Sequence, residues 1–218
     1  MPPGVVTQVG GHAITRQALA HWTVVEAITQ SVTALTQPVP RGVVPTPPGY
    51  QDCIAYLAAI DKANQPRSVP DNAHLKEQCA QEYEKVQIRA LQALIIHYWV
   101  KEEAARAHVA AVTSEELGQT LHRDFSTEAG FHRFLALTGL HASDERRIVE
   151  DELLRAKWVS TLPGVVRLRR SKAPESGQMV GEIDREQYEQ TENMRLRWIP
   201  RTHCRVGYVV PLCSEYQR

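Results

Sequence analysis

The stretch from Ala73 to Val109 constrains the fold more than any other part of the chain, because it contains neither proline nor glycine. Apolar or weakly polar side chains recur along it every three or four positions. They are Leu75, Cys79, Tyr83, Val86, Ala90, Leu94 and Tyr98. This spacing predicts one long central helix, about 50 Å in length at 1.5 Å per residue. Such a helix exceeds the diameter of a small compact domain, so the sequence predicts an elongated, mainly α molecule.

Further helices are predicted on both sides of the long one. Thr15 is suited to cap a helix whose apolar positions recur at helical spacing, and a shorter helix covers Asp52 to Ala63. Three more follow the long helix, with predicted N-caps at Thr113, Ser126 and Ser143. Glu116 completes a capping box with Thr113, Gly139 is a suitable stop, and Pro163-Gly164 closes the third helix. A last helix ends at Pro200, and its inward-facing residues are Ile183, Tyr188, Met194 and Trp198.

Two short β-type runs lie near opposite ends of the chain. Val5 to Val9 precedes a Gly10-Gly11 turn, and "GYVV" covers residues 207 to 210. A single strand is not stable in water without a partner. The sequence therefore predicts a small β pairing between the N-terminal and C-terminal segments.

Charge and hydropathy exclude some classes of partner. The 25 basic and 25 acidic residues cancel, which argues against nucleic acid, because nucleic-acid binders need a clustered positive surface. The longest apolar run, "ALIIHYWV", is too short to span a bilayer. The opening "MPPGVVTQVGG" lacks the basic start and apolar core of a signal peptide. We therefore expect either a cytosolic chain or an exported one whose leader is not present in this sequence.

The four cysteines bear on the cellular compartment. None belongs to a C-x-x-C pair, which disfavours a four-cysteine zinc site and a thioredoxin-like redox centre. Pairing of sequence neighbours predicts Cys53–Cys79 and Cys204–Cys213 disulfides, with about 2.5–3.5 kcal/mol of stabilisation from each loop. The alternative is four reduced, buried thiols in a cytosolic protein. The closely spaced terminal pair favours disulfides, because a short chain end gains most from a covalent bridge.

The sequence offers no catalytic constellation, cofactor motif or helical metal-binding spacing. The nine histidines form no H-x-x-x-H, H-E-x-x-H or H-x-H pattern. Nucleophile-elbow, P-loop and dinucleotide-binding motifs are also missing from the sequence. One metal-binding alternative remains, in which His203 and Cys204 bind an ion if Cys213 stays reduced. We expect no catalytic residue, no metal and no cofactor.

Several segments, taken in order, resemble the SurA/PrsA-type extracytoplasmic foldases, and in particular their actinobacterial branch. The opening "VGGHAITRQALAHW" is similar to the strand and helix with which mature chains of that family begin. Further similar segments are "PPGYQDCIAYLAAI", "LKEQCAQEYEKVQIRALQALI", "STEAGFHRFLALTGL", "ELLRAKW" and "RTHCRVGYVVPLC". The resemblance covers residues 5 to 163 and 190 to 213. It implies a chaperone lobe built by N-terminal and C-terminal segments together.

The chain departs from that family at one place. The family carries a parvulin-type peptidyl-prolyl isomerase domain where this sequence has only "LPGVVRLRRSKAPESGQMVG". We therefore expect a SurA N-terminal-like helical lobe at 1–163 and a linker at 164–181. We expect a C-terminal helix and a disulfide-clasped strand at 182–218, packed back on the lobe. Natural loss and deliberate excision of the isomerase domain are both compatible with this sequence.

The resemblance implies a non-catalytic, extracytoplasmic holdase or foldase that binds unfolded or secreted polypeptides. Tyr98 and Trp99 point about 100° apart on one helix, so one of them can line a groove. The predicted client-binding residues are Tyr98, Trp99, Phe131 and Phe134. The alternatives are a dedicated interaction or scaffold module and a peptidyl-prolyl isomerase relative with residual or lost activity. Oligomeric state, client identity and an upstream lipid or membrane-surface anchor stay open.

Overall fold

The computed structural model describes residues 1–32, 37–64, 71–162 and 192–217, and its fold is mainly α-helical. The helices are α1 (Arg16–Ser31), α2 (Gln51–Asn64), α3 (Asn72–Arg106), α4 (Ser114–Phe125), α5 (Glu128–Thr138), α6 (Ala142–Ser160) and α7, of which 192–198 is described. The strands are β1 (Val5–Val9), β2 (His12–Thr15) and β3 (Thr202–Cys204). The mainly α prediction is confirmed, and α3, at 35 residues, is the predicted long helix.

The chain divides into two compact units, each assembled from separate stretches of sequence. Unit 1 contains Met1–Thr15, Gln92–Asp124 and the described part of Arg146–Arg218. Unit 2 contains Arg16–Leu91 and Phe125–Glu145. N-terminal and C-terminal segments therefore belong to the same unit. The predicted linker at 164–181, the Pro163-Gly164 stop, Ile183 and Tyr188 lie outside the described residues.

The sheet of unit 1 joins the two ends of the chain. Its strand order is β2-β1-β3, and both pairings are antiparallel. Strands β1 and β2 form a hairpin across the Gly10-Gly11 loop, with Val9 opposite His12. Strand β3 pairs on the other side of β1, where Thr7 lies opposite Cys204. The sequence prediction missed β2, because its four residues lie between the Gly10-Gly11 turn and a helix, and Thr15 was predicted only as the cap of that helix.

The predicted terminal pairing is present, but the strand that forms it differs from the predicted one. Residues 207–210 are not a strand, and Thr202–Cys204 pairs with β1 instead. Gly207 has a φ of 87°, and the Tyr208 N–H donates to the Arg205 carbonyl at 2.9 Å, which closes a tight turn. This turn directs the chain away from β1 directly after β3.

Local capping explains where α4 begins and where α5 begins and ends. The predicted Thr113–Glu116 capping box is confirmed, because the Glu116 N–H donates to Thr113 Oγ1 and the Thr113 N–H donates to Glu116 Oε2. Gly139 ends α5 with a φ of 77°, as predicted. The predicted cap at Ser126 is wrong. Ser126 has a φ of 59°, whereas Thr127 has the extended backbone of an N-cap and accepts the Gly130 N–H at 3.0 Å.

A second predicted cap, Ser143, is also wrong, because α6 begins one residue earlier at Ala142. The N–H groups of Asp144 and Glu145 donate to the His141 carbonyl, so Ser143 already lies inside the first hydrogen-bonded turn.

Buried Met194 and Trp198 agree with the predicted inward face of the last helix. Within the described ranges, no helix has the length and apolar character needed to cross a membrane.

Each unit has its own buried apolar residues. In unit 1 they include Val6, Val9, Ile14, Ile95, Trp99, Trp198 and Cys213. In unit 2 they include Leu19, Val25, Leu75, Cys79, Leu91, Phe131 and Leu140. The central helix α3 contributes residues to both sets, which accounts for the apolar periodicity along its length.

Candidate functional site

Both predicted disulfides are present. Cys53 of α2 is bonded to Cys79 of α3 in unit 2, with 6.1 Å between the Cα atoms. Cys204 of β3 is bonded to Cys213 in unit 1, with 5.7 Å between the Cα atoms. All four sulfurs are thereby used, and no free cysteine remains.

The Cys204–Cys213 bridge holds the tail against the outer edge of the sheet. The Cys204 N–H donates to Glu215 Oε2 at 2.9 Å. This N–H lies on the open edge of β3 and does not bond to β1, so the Glu215 side chain supplies its acceptor. His203 Nδ1 lies 3.0 Å from Ser214 Oγ and 3.4 Å from Glu215 Oε1. The two sulfurs and Glu215 lie within 4.8 Å of one another, but sulfurs in a disulfide offer no thiolate to a metal.

The carboxyl of Glu215 is ionised more readily than an ordinary glutamate. Burial raises its pKa, but hydrogen bonds from the Cys204 N–H and from its own N–H, Ser214 and His203 lower it by more. The net pKa lies below the usual value of 4.5. The negative charge is therefore kept at the sheet edge at neutral pH.

A pH series on Glu215→Gln tests that charge. The folded pKa is below the unfolded one, so the charge stabilises the fold above about pH 4.5, and this contribution is lost as pH falls through the folded pKa. We expect the wild type to lose more stability than Glu215→Gln between pH 7 and pH 3, as measured by urea unfolding at each pH. A gap between the two proteins that widens as the pH falls would contradict this sign.

The four predicted client-binding residues differ in their exposure. Trp99 is 0% exposed and donates its indole N–H to Thr202 Oγ1 at 2.9 Å, so it belongs to the core of unit 1. Phe131 is also buried, with its ring 5.1 Å from that of Phe125. Phe134 and Tyr98 are half-buried. A side chain in a packed core cannot contact a client in this conformation, so only Phe134 and Tyr98 keep accessible surface.

The structure places these two accessible aromatics in different surroundings. Phe134 of unit 2 packs 4.9 Å from the Phe125 ring. Tyr98 of unit 1 stacks on His12 with 4.7 Å between ring centroids, and the His97 ring meets it edge-on at 4.9 Å. Carboxylates flank this second group, since Glu102 lies 2.6 Å from His12 and Asp151 lies 2.8 Å from His97.

A buried polar network links α3, α7 and β3 in unit 1, and sequence reasoning missed it. Thr202 Oγ1 accepts the Trp99 indole N–H and donates to the Trp198 carbonyl at 2.9 Å. The Trp198 indole N–H donates to Glu103 Oε1 at 2.7 Å. Arg197 donates to both oxygens of Glu103, at 2.7 and 2.6 Å, and Arg106 donates to Oε1 at 3.1 Å. The carboxylate thus holds the last helix to the central one.

These donors keep Glu103 ionised although it is only 7% exposed. Burial raises its pKa, but hydrogen bonds from Arg197 and Trp198 and the charges of Arg197 and Arg106 lower it by more. The net pKa lies below the usual value of 4.5. A buried carboxylate that is satisfied in this way orients the arginines around it.

A surface pocket of about 290 Å³ lies beside this network. Its lining combines apolar and polar side chains, among them Trp158, Leu162, Met194, Asn193, Arg106 and Arg197. Trp158 and Met194 are nearly buried, whereas the two guanidinium groups keep access to solvent. Among the described residues of the lining, Glu103 is the only carboxylate, and its oxygens already accept hydrogen bonds from both arginines. The pocket therefore offers an apolar surface next to positive charge.

Removing the Thr202 hydroxyl tests the network directly. In Thr202→Val the Trp99 indole N–H loses its acceptor in a fully buried position, which costs about 1–3 kcal/mol. We expect the midpoint of urea unfolding to fall, whereas Thr202→Ser, which keeps the hydroxyl, should lose less. A loss in Thr202→Ser as large as that in Thr202→Val would contradict this expectation, because the serine variant keeps the hydroxyl and lacks only the methyl group.

No family model, curated protein or solved structure matches this chain. The resemblance to SurA/PrsA-type foldases therefore depends on the sequence motifs alone, and function has to be argued from the contacts of the described residues.

Proposed function

We propose that the protein is a non-catalytic, extracytoplasmic chaperone-like module, a holdase or foldase, that binds unfolded or secreted polypeptides. The observation that carries the proposal is the β1–β3 pairing, which places the C-terminal segment in the same unit as the opening hairpin. This is the arrangement that the resemblance to the SurA/PrsA-type lobe implies. The long α3 helix and the order of the surrounding helices are also compatible with that lobe.

Exposed apolar side chains supply surface for weak, non-specific contacts. In unit 1, Val206 is 92% exposed at the tip of the turn after β3, Leu196 of α7 is 72% exposed and Tyr216 is 59% exposed. In unit 2, Val24, Ile60 and Ile88 are also exposed. Apolar surface of this kind suits extended client segments, and the affinity for each segment should be low because a flexible chain loses entropy on binding.

The two disulfides support an extracytoplasmic location, because cytosolic reductants keep most thiols reduced. A thiol count tests this part of the proposal. Protein purified from its native host under alkylating, non-reducing conditions should contain no free thiol, and peptide mapping should recover the Cys53–Cys79 and Cys204–Cys213 bridges. Four alkylated cysteines would place the protein in a reducing compartment.

Suppression of aggregation tests the function itself. We expect the oxidised protein to lower light scattering from two unrelated substrates, such as thermally denatured citrate synthase and urea-denatured rhodanese, at near-equimolar ratios. The double variant Leu196→Ser/Val206→Ser should be less effective, because it removes the most exposed apolar groups of unit 1. The double variant Gln119→Ser/Gln81→Ser, which changes only polar surface positions, is the control.

Two outcomes of this assay would reject the holdase proposal. If the protein lowered light scattering from neither substrate, the alternative of a dedicated interaction module would be favoured. Rapid turnover in a proline-peptide isomerisation assay would favour an enzyme.

A further inference from the structure

The described residues that line the pocket beside Glu103 carry an excess of positive charge. Among them, one carboxylate, Glu103, and two guanidinium groups, Arg106 and Arg197, give a net charge of +1 (two positive, one negative). The Arg106 and Arg197 side chains are 54% and 36% exposed. Both arginines use NH1 for their bonds to Glu103. Within the described parts of the chain, their Nε and NH2 groups have no hydrogen-bond partner, so these donors remain for an anion.

The arginines are held in place by the buried carboxylate behind them. Arg197 donates to both Glu103 oxygens, and Trp198 and Arg106 donate to Oε1. Fixed guanidinium groups bind a carboxylate at a lower entropic cost than freely moving side chains do. Glu103 therefore prepares the positive side of the pocket for a second carboxylate, although it does not contact that ligand.

The other side of the pocket is apolar and small. Trp158, Leu162 and Met194 supply this surface, and Asn193 adds a donor and an acceptor beside Met194. A volume of about 290 Å³ lies just below the range of roughly 300–1,000 Å³ found for ligand sites. The pocket can thus hold about one amino-acid residue together with its backbone, but not a long segment.

We propose that this pocket binds the C-terminal residue of a polypeptide that ends in an apolar side chain. The free carboxylate pairs with Arg106 and Arg197, and the side chain lies against Trp158 and Met194. Aspartate and glutamate inside a chain fit less well, because their carboxylate takes the place of the apolar group. Only a C-terminal residue carries both groups on one Cα atom. This inference rests on the proposed polypeptide-binding function and names the part of the client that is bound.

Binding can be followed at Met194, one of three methionines in the chain. Methionine methyl groups are isotope-labelled and observed by NMR, the Met194 signal is assigned from its loss in Met194→Leu, and Met1 serves as an internal reference. The probes are acetyl-Ala-Ala-Leu with a free carboxylate, the same peptide as its C-terminal amide, acetyl-Ala-Ala-Ser with a free carboxylate, and octanoate.

We expect the leucine acid to shift the Met194 signal saturably and to leave the Met1 signal unchanged. The amide should bind about tenfold more weakly or worse, because it loses charge-assisted hydrogen bonds to the arginines. The serine acid should also bind more weakly, because it lacks an apolar side chain. Equal affinity of acid and amide, or no shift of Met194, would overturn the proposal. Binding of octanoate without binding of the leucine acid would overturn it too, because the site would then take an amphiphile.

A matched pair of arginine variants gives the second test. Arg106→Gln should weaken binding of the leucine acid about tenfold, whereas Arg123→Gln, at an exposed position of α4 outside the pocket, should not change it. Equal effects of the two would mean that general charge, and not the pocket, attracts the peptide. Loss of peptide binding with aggregation suppression intact would reject this inference alone. Peptide binding without suppression of aggregation would reject the holdase proposal but would keep the assignment of the pocket as a peptide-binding site.

Discussion

Replacing both cysteines of the Cys53–Cys79 bridge by alanine is expected to lower the free energy of unfolding by about 3.5 kcal/mol. The two cysteines are 26 positions apart and join α2 to α3. Without the bridge the unfolded chain gains the entropy of this open loop, and the native chain loses its covalent tie between the two helices. Both cysteines are buried, so alanine introduces no unsatisfied polar group. Urea unfolding under non-reducing conditions, followed by circular dichroism, measures the loss.

The second bridge provides the comparison. Cys204 and Cys213 are only 9 positions apart, so the same substitution there should cost about 2.7 kcal/mol. Because its loop is longer, the Cys53–Cys79 bridge should contribute more stability than the Cys204–Cys213 bridge. This ranking is a more stringent test than either value alone. A larger loss at the short loop would show that contacts of the tail with the sheet edge, and not loop closure, dominate the stabilisation by this bridge.

The second large effect is expected at Glu103. Glu103→Leu removes the acceptor of the Trp198 indole and of both arginines, and leaves their donors at a nearly buried site. Breaking a buried ion pair costs about 3–5 kcal/mol, but Arg197 is partly exposed and can be rehydrated. We therefore expect a loss of about 2–4 kcal/mol. Urea unfolding monitored by tryptophan fluorescence measures it.

The neighbouring acidic residue is the natural control. Glu102 lies one position away on the same helix, is half-exposed, and pairs with His12. Glu102→Leu should cost less than about 1 kcal/mol, because an exposed pair contributes little. If the two variants were equally stable, the network around Glu103 would be unimportant for the fold and could not be what holds the arginines of the pocket.

Features that depend on local sequence were predicted well. The stretch without proline and glycine is α3, because periodicity over many residues distinguishes a helix from other structures. The Thr113–Glu116 box and the Gly139 stop follow from side-chain and backbone chemistry within four residues. The nearest-neighbour cysteine pairs were also predictable, because a small number of cysteines allows few pairings.

Features that depend on contacts between residues far apart in the sequence were not predicted. Glu103 looks like any acidic residue on a helix, and Arg197 approaches it from 94 positions away. Tyr98 and Trp99 must point in different directions, but only tertiary packing decides that Trp99 is the buried one. Strand β3 has three residues and little strand character, and it pairs because β1 offers an edge and the Gly207 turn ends the run. The pocket depends on the contact between Glu103 and Arg197, so the sequence could not reveal it.

The β1–β3 pairing also bears on how the chain can be made. Thr7 and Cys204 are neighbours in the sheet but 197 positions apart in sequence, so contact between them closes a very long loop. During synthesis or export from the N-terminus, the β1–β2 hairpin emerges before residues 202–204, and one edge of β1 stays unpaired until they follow. An isolated hairpin is marginally stable. We therefore expect the nascent protein to expose this edge of β1 to other chains until residues 202–204 have emerged and paired with it.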